Sequence, residues 1–170
     1  RHGGRLVKSL GDGILVEFDE AAPAAKAALT LHRYFDDANL RRDEDDKLWL
    51  RAGINATHLY LDDHDVFGHG VNLAARVAGL AGPGETVITA NVHDALVDGV
   101  DADMQDMGES YLKHWPEPVR TWTLSPPTSN NIVWRPQPNA RADDFRATIA
   151  VLPFVSVSYT HLRAHETSLH

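Results

Sequence analysis

Four short stretches hold the side chains best suited to chemistry. In "RLVKSLGDGILVEF" (5–18) two apolar runs flank Gly11-Asp12-Gly13. Asp-Gly suits a tight β-turn with positive φ at its central residues, so the stretch reads first as a hairpin. The sharper reading makes Asp12 a metal-binding carboxylate and Lys8 a donor to a base edge. In "FGHGVNLAAR" (67–76) Gly68 and Gly70 let backbone approach a ligand just before a helix starts, and a helix N-terminus attracts phosphate. Asn72 and Arg76 stand four apart, hence on one helix face, where an amide and a guanidinium can hold neighbouring oxygens. The blander reading is a capped amphipathic helix with two exposed polar residues. The third glycine of the dinucleotide fingerprint is replaced by Leu73. "DDHD" (62–65) offers three carboxylates and an imidazole, yet such a run is commonly a solvated turn. One of its aspartates, paired with a distant lysine, can instead read a base edge by accepting from an exocyclic amine. Lys113, in "YLKHW", is a lone cation at a strand end, and its ordinary fate is the surface.

These residues need elements to hold them. Residues 5–10 and 14–18 read as paired strands. Residues 20–39 read as a helix, with Pro23 in its first turn and Ala24, Ala28, Leu31, Phe35 and Ala38 at helical spacing. "RRDEDDK" (41–47) is a charged loop. Residues 48–61 are a long strand, with Gly53 suited to a bulge. A loop (62–70), a helix (71–80), a strand (85–90) and a short helix (91–99) follow, the last with Asn91 as cap and Gly99 as stop. "DADMQDMGESYLKHW" and "PVRTWTL" close the series as strands. The order ββαβαβαββ predicts an α+β fold with a mainly antiparallel sheet.

Composition narrows the function. The chain has 170 residues and a net charge of −8, so no basic surface advertises nucleic-acid binding. An acidic chain that takes a nucleotide must concentrate its few cations locally or use a metal. The absence of cysteine excludes disulfides and thiolate metal sites. No apolar run approaches the roughly 20 residues that span a membrane. The chain begins at Arg1, not Met, and leads at once into a strand, so its true N-terminus is expected elsewhere.

After Leu124 the texture changes. Residues 125–146 are rich in Pro, Ser, Asn and charge and read as a linker. "ATIAVLPF" (147–154) resembles the first strand of a second domain, which we bound at 147–155. "VSYTHLRAHET" (157–167) resembles the in-frame translation of a transposase-based sequencing adapter, so 156–170 is set aside as an adapter-derived tail. On that reading His161, His165 and His170 form no metal site.

The order of the motifs is more specific than any one of them. "KSLGDG", then "DVFGHGVNLAAR", then "GESYLKHWPEPVRTWTL" resembles the catalytic domain of class III nucleotidyl cyclases, over about residues 1–124. The resemblance implies a ferredoxin-like palm and two Mg²⁺ or Mn²⁺ ions per site, held by two aspartates, the second being Asp12. It implies that Lys8 contacts the purine with Asp65 as partner, a pair of the adenine-selecting type. Asn72 would orient the ribose, Arg76 would stabilise the pentacoordinate phosphate, and Lys113 would grip the triphosphate. The implied reaction turns ATP into cyclic AMP and pyrophosphate in a cytoplasmic homodimer. Each site would span the interface, so Lys8 and Asp12 on one hairpin would serve different sites.

The chain also departs from that pattern. The first metal aspartate belongs to an opening strand with the pattern D-x-x-G-[FY], and no such pattern precedes Lys8 here. The domain is thus expected to lack its first strand and helix, and the fragment to be inactive. Relatives usually carry glycine near Thr57 and an acid near His58. The alternative is a non-catalytic cyclase-like module that binds nucleotide or dimerises and regulates attached domains. A generic ferredoxin-like protein with chance motif matches would need every site position to coincide in order.

Overall fold

The computed structural model describes residues 3–9, 12–58, 69–127 and 145–156. The elements are β1 (Arg5–Ser9), β2 (Ile14–Phe18), α1 (Ala21–Asn39), a 3₁₀ turn (Glu44–Asp46), β3 (Leu48–His58), α2 (His69–Ala78), β4 (Thr86–Thr89), α3 (Ala90–Leu96), β5 (Asp103–Ser110), β6 (Val119–Ser125) and β7 (Phe145–Ser156). The strands form one sheet in the order β1-β2-β7-β3-β4-β6-β5. Only β3 and β4 pair in parallel; every other neighbouring pair is antiparallel. The α+β palm with a mainly antiparallel sheet is therefore what the chain adopts.

Strand β3 shows how the layers arise. Side chains along a strand alternate between faces. Leu50, Ala52, Ile54 and Ala56 pack into one core with α1 and α3, alongside Ala24, Ala25, Ala28, Val92 and Leu96. The alternate positions turn to α2, whose Val71, Ala74 and Ala78 pack on Leu15, while its Val77 joins Ala81, Val87 and Leu112. Helices thus cover both faces of the sheet. The alanines buried along α1 bring that helix close, and its face includes the expected Ala24 and Ala28.

Polar side chains close the open ends. Asn39, buried at the end of α1, donates Nδ2 to the Leu48 carbonyl (2.8 Å) and accepts from the Leu48 amide (2.9 Å). This two-way bond fixes the start of β3 beyond the charged 41–47 loop. Arg5 and Glu17 stand opposite each other in β1 and β2, and Arg5 Nε donates to the buried Glu17 carboxylate at 3.0 Å.

Two sequence expectations are corrected. Gly53 is not a bulge, because its register runs regularly between Val87 and Ala150. A Cβ there would lie 2.2 Å from the Ala78 backbone nitrogen and 2.6 Å from the Ala74 carbonyl oxygen, so glycine serves close helix-on-sheet packing. The bulge falls instead between Trp49 and Arg51. The β1 strand also ends one residue short of the expected 5–10, since the last β1–β2 pair is Ser9 with Ile14. Among the described residues, positive φ at glycine occurs at Gly3, Gly84 and Gly108, so Gly13 does not need it.

The segment set apart in the sequence as the start of a second domain, 147–155, lies inside this sheet. β7 runs antiparallel to both β2 and β3, with Val16, Ile149 and Ile54 in one row. A proline in an interior strand normally removes a ladder hydrogen bond. Pro153 is tolerated because it sits beyond the last β2 pair (Ile14 with Val151) and within the bulge between Leu152 and Val155. The tail 157–170 and most of the expected linker, 128–144, lie outside the described residues.

His32 links the α1 core to β4: its Nε2 lies 2.7 Å from Thr86 Oγ1, and both residues are buried. Burial lowers the imidazole pKa, and the nearby Asp36 carboxylate only partly opposes this. The folded state thus disfavours the protonated ring, and stability is lost as pH falls below the ordinary imidazole value of about 6.5. Chemical denaturation between pH 7.5 and 5 should show this loss, and His32→Gln should flatten that part of the profile. An unchanged slope in the variant would remove His32 as its source.

Candidate functional site

Helix α2 is the centre of the candidate site. Its Val71, Ala74, Val77 and Ala78 are buried against the sheet, whereas Asn72 is exposed and Arg76 half-buried on the side away from it. The i,i+4 pair expected from spacing therefore shares a face that the core does not use.

Two flanking contacts bring the other candidates to this helix. On one side Leu15 of the hairpin packs against Val71, Ala74 and Ala78. That seats the Lys8–Asp12 hairpin beside α2. Asp12 is exposed in the connection, and Lys8 is exposed on the outermost strand, opposite Leu15. On the other side Leu112 is buried with Val77, Val87 and Ala81. Its neighbour Lys113 is exposed in the turn between β5 and β6, a turn fixed by the Trp115 amide donating to the Leu112 carbonyl (3.0 Å). His114 takes a left-handed φ of 60° there. Asp12, Asn72, Arg76 and Lys113 are thus carried by three neighbouring elements. Asp65 lies outside the described residues, as does the whole stretch 59–68.

A polar network that the sequence reading missed holds the start of α2. Asn55, 2% exposed in β3, donates Nδ2 to the Gly70 carbonyl at 3.1 Å. Thr89 Oγ1 donates to Asn55 Oδ1 at 3.0 Å, and Asn91 Nδ2 donates to the Ala56 carbonyl. Asn91 was expected only as a helix cap, yet it ties α3 back to β3. A Cβ on Gly70 would lie 2.3 Å from Thr57 Cγ2, so the first turn of α2 rests directly on β3. The available signal was an asparagine flanked by Ile54 and Ala56 inside a strand, a residue whose burial demands hydrogen-bond partners.

The metal expectation meets a limit here. An exposed aspartate suits a hard divalent cation. Two ions held by two aspartates need a second carboxylate, and the strand beside the hairpin, "FRATIAVLPFVS", contains no Asp or Glu. Among the described residues no group of three or more His, Asp or Glu is placed to hold a metal. The described residues do not make up a two-metal set.

An α+β palm with its polar candidates gathered on one helix and two flanking turns is an arrangement that more than one class of protein carries. Comparison with known proteins specifies which. Residues 7–126 match the model of the adenylate and guanylate cyclase catalytic domain. The chain belongs to that family. It is 38% identical over 161 residues to "Putative adenylate cyclase 3" of Rhizobium meliloti, covering 92% of this chain and 27% of that protein. It is 34% identical over 100 residues to an adenylate cyclase of Streptomyces coelicolor, covering 59% of this chain and 25% of the relative. The chain thus spans about a quarter of the length of these relatives. Among solved structures, the adenylate/guanylate cyclase/hydrolase of Silicibacter pomeroyi superposes with a TM-score of 0.64 at 32% identity, covering 74% of each chain. Among the described residues no helix is long and apolar enough to cross a membrane.

The seat of α2 on β3 can be tested directly. Gly53→Ala forces backbone apart, which should cost about 2–3 kcal/mol. For a chain of this size that is a fall of about 5–10 °C in the thermal midpoint. An unshifted midpoint by calorimetry would show that α2 does not lie this close.

Proposed function

We propose that this domain belongs to an adenylyl cyclase that converts ATP to 3′,5′-cyclic AMP and pyrophosphate. The observation that carries the reading is the placement of Asn72 and Arg76 on the sheet-distal side of α2, flanked by the Asp12 hairpin and the Lys113 turn. In the reaction the ribose 3′-oxygen attacks the α-phosphorus in line. The O–H proton leaves, the new P–O ester bond closes the ring, and the bond to the β-phosphate oxygen breaks.

Each residue has one task in this proposal. Asn72 holds the ribose so that the 3′-oxygen faces phosphorus, an orientation effect. Arg76 places fixed positive charge where the pentacoordinate phosphate gains negative charge. Lys113 binds the triphosphate as a point charge. Lys8 donates to a ring nitrogen of adenine while Asp65 accepts from its 6-amino group. Asp12 is the one carboxylate on the hairpin available to a Mg²⁺ or Mn²⁺ ion. The active assembly is a homodimer in which the Lys8 of one chain and the Asp12 of the other face one substrate. A cytoplasmic setting, where ATP is available, fits this chemistry.

A second reading, a non-catalytic nucleotide-binding or dimerising module, is favoured by one observation. The strand next to the hairpin carries no carboxylate.

Two experiments separate these readings. Protein with a D-x-x-G-[FY] strand added before Arg1 should form cyclic AMP from ATP with Mn²⁺ or Mg²⁺. Asp12→Ala should lower the rate at least about 100-fold, the scale on which removal of an electrostatic group acts. Full activity in that variant would remove Asp12 from the site, and an inactive extended protein that still binds ATP would establish the regulatory reading. Lys8→Glu combined with Asp65→Cys should move the preference from ATP toward GTP in competition assays. Unchanged selectivity would mean that neither residue reads the base.

A further inference from the structure

A register shift in the β1–β2 hairpin decides which way Lys8 faces. Leu6 pairs with Val16 and Lys8 pairs with Leu15, so Val7 is an extra residue in β1. Leu6 and Lys8 stand two apart, and in a regular strand they would share a face. Their partners are consecutive in β2 and face opposite ways. Val16 packs on the α1 core, whereas Leu15 is buried with Val71, Ala74 and Ala78 of α2. A regular ladder continued from Leu6 would pair Lys8 with Ile14 and turn it to the α1 side. The shift turns it to the α2 side instead, the re-aiming of a side chain that a bulge performs.

Val7 also anchors the shift. Arg5, Leu6, Lys8 and Ser9 are exposed, and Val7 alone in β1 is partly buried, packed against the cluster of Leu15 with α2. An extra residue disrupts the ladder locally, and apolar contact with α2 offsets that cost. Arg5 fixes the register on the other side of the shift. It stands opposite Glu17 and donates Nε to that buried carboxylate at 3.0 Å. Glu17 and Leu15 are two apart, so their partners Arg5 and Lys8 come to the same side of the hairpin. Arg5 and Lys8 are three apart in sequence, a spacing that a regular strand would split between its two faces.

We propose that Val7 is a positioning residue for base recognition: its bulge, anchored on α2, places Lys8 on the side of the sheet that carries Asn72 and Arg76. What Lys8 recognises rests on the cyclase reading; the register shift and its anchor do not. Val7 touches no substrate in this proposal. It ties the strand of the base-reading lysine to the helix that holds the groups for sugar and phosphate, and so fixes the spacing between them. Adenine is told from guanine by a hydrogen bond to a ring nitrogen, and such a bond weakens steeply when donor and acceptor are displaced. A smaller side chain at position 7 loosens that spacing while Lys8 keeps its charge.

The test uses the full 170-residue chain and needs no turnover, because NMR reads both strand register and nucleotide binding. Cross-strand nuclear Overhauser contacts should join Leu6 to Val16 and Lys8 to Leu15. Contacts of Lys8 with Ile14 in their place would overturn the shift. Titration with Mg²⁺-ATP should move the amide signals of β1 and α2 together, with one dissociation constant. Val7→Ala should weaken ATP binding about fivefold, the scale of one lost hydrogen bond, and leave GTP binding in place. Val7→Ile should restore the preference for ATP. A merely structural role would lower the thermal midpoint and weaken both nucleotides alike, and that result would overturn the positioning role. ATP binding by Val7→Ala equal to that of the parent chain would overturn it too, with the cyclase reading left standing. A chain that shows the bulge and binds neither nucleotide would instead overturn it through the cyclase reading.

Discussion

The contact between α2 and β3 decides the rest of the site. Backbone meets backbone at Gly53, where no side chain can stand between the strand and Ala78. Close-packed interiors transmit such a constraint because they hold little free space to absorb a shift. The height of α2 above the sheet follows from it, and so does the position of Asn72 and Arg76 on the far side of the helix. Asn55 then sets the axial position, since its amide bonds the Gly70 carbonyl in the first turn. Two glycines and one buried asparagine thus position the exposed Asn72 and the half-buried Arg76. Leu15 and Leu112 extend this to the flanks, each buried against α2 and each close in sequence to a candidate side chain, Asp12 or Lys113.

Charge is distributed in a compatible way. With a net charge of −8, the chain cannot attract a polyphosphate by its overall field. Some of its cations are committed elsewhere. Arg5 is engaged by Glu17 across the hairpin, and Arg120 binds Asp106 and lies over the Trp122 ring at 5.5 Å. The hydrogen bonds from Arg120 and from the Gly108 amide hold the Asp106 carboxyl below its usual range, which marks that exposed pair as a β5–β6 contact. Lys8, Arg76 and Lys113 stand on or beside α2. A local grouping of cations of this kind is compatible with the nucleotide substrate proposed above.

How much of this could be read from the sequence depends on the range of each determinant. The helices from 20–39 and 71–80, the hairpin strands and the strand at 85–90 are found within a few residues of their expected limits, because periodicity and turn chemistry are local. The pairing of Asn72 with Arg76 on one helix face was legible for the same reason. Gly53 was misread because a bulge and a close helix crossing demand the same absence of Cβ, and only the partner across the interface distinguishes them. Asn55 and Asn91 were missed as a network because their partners lie up to 35 residues away. The position of 145–156 was illegible for a stronger reason. An apolar run bounded by a Pro-rich segment reads equally well as a strand of this sheet or of another, and strand order is not a local property.

That position separates two requirements usually met by one strand. Completing the sheet needs only an extended segment of compatible direction, since ladder bonds come from the backbone and are indifferent to side-chain chemistry. Completing a metal site needs a carboxylate at one register position. β7 meets the first requirement: its residues 147–151 pair on both sides, and its proline falls where neither ladder needs an amide. It cannot meet the second, because its one charged residue is Arg146. A folded sheet is therefore no measure of a competent centre in this chain.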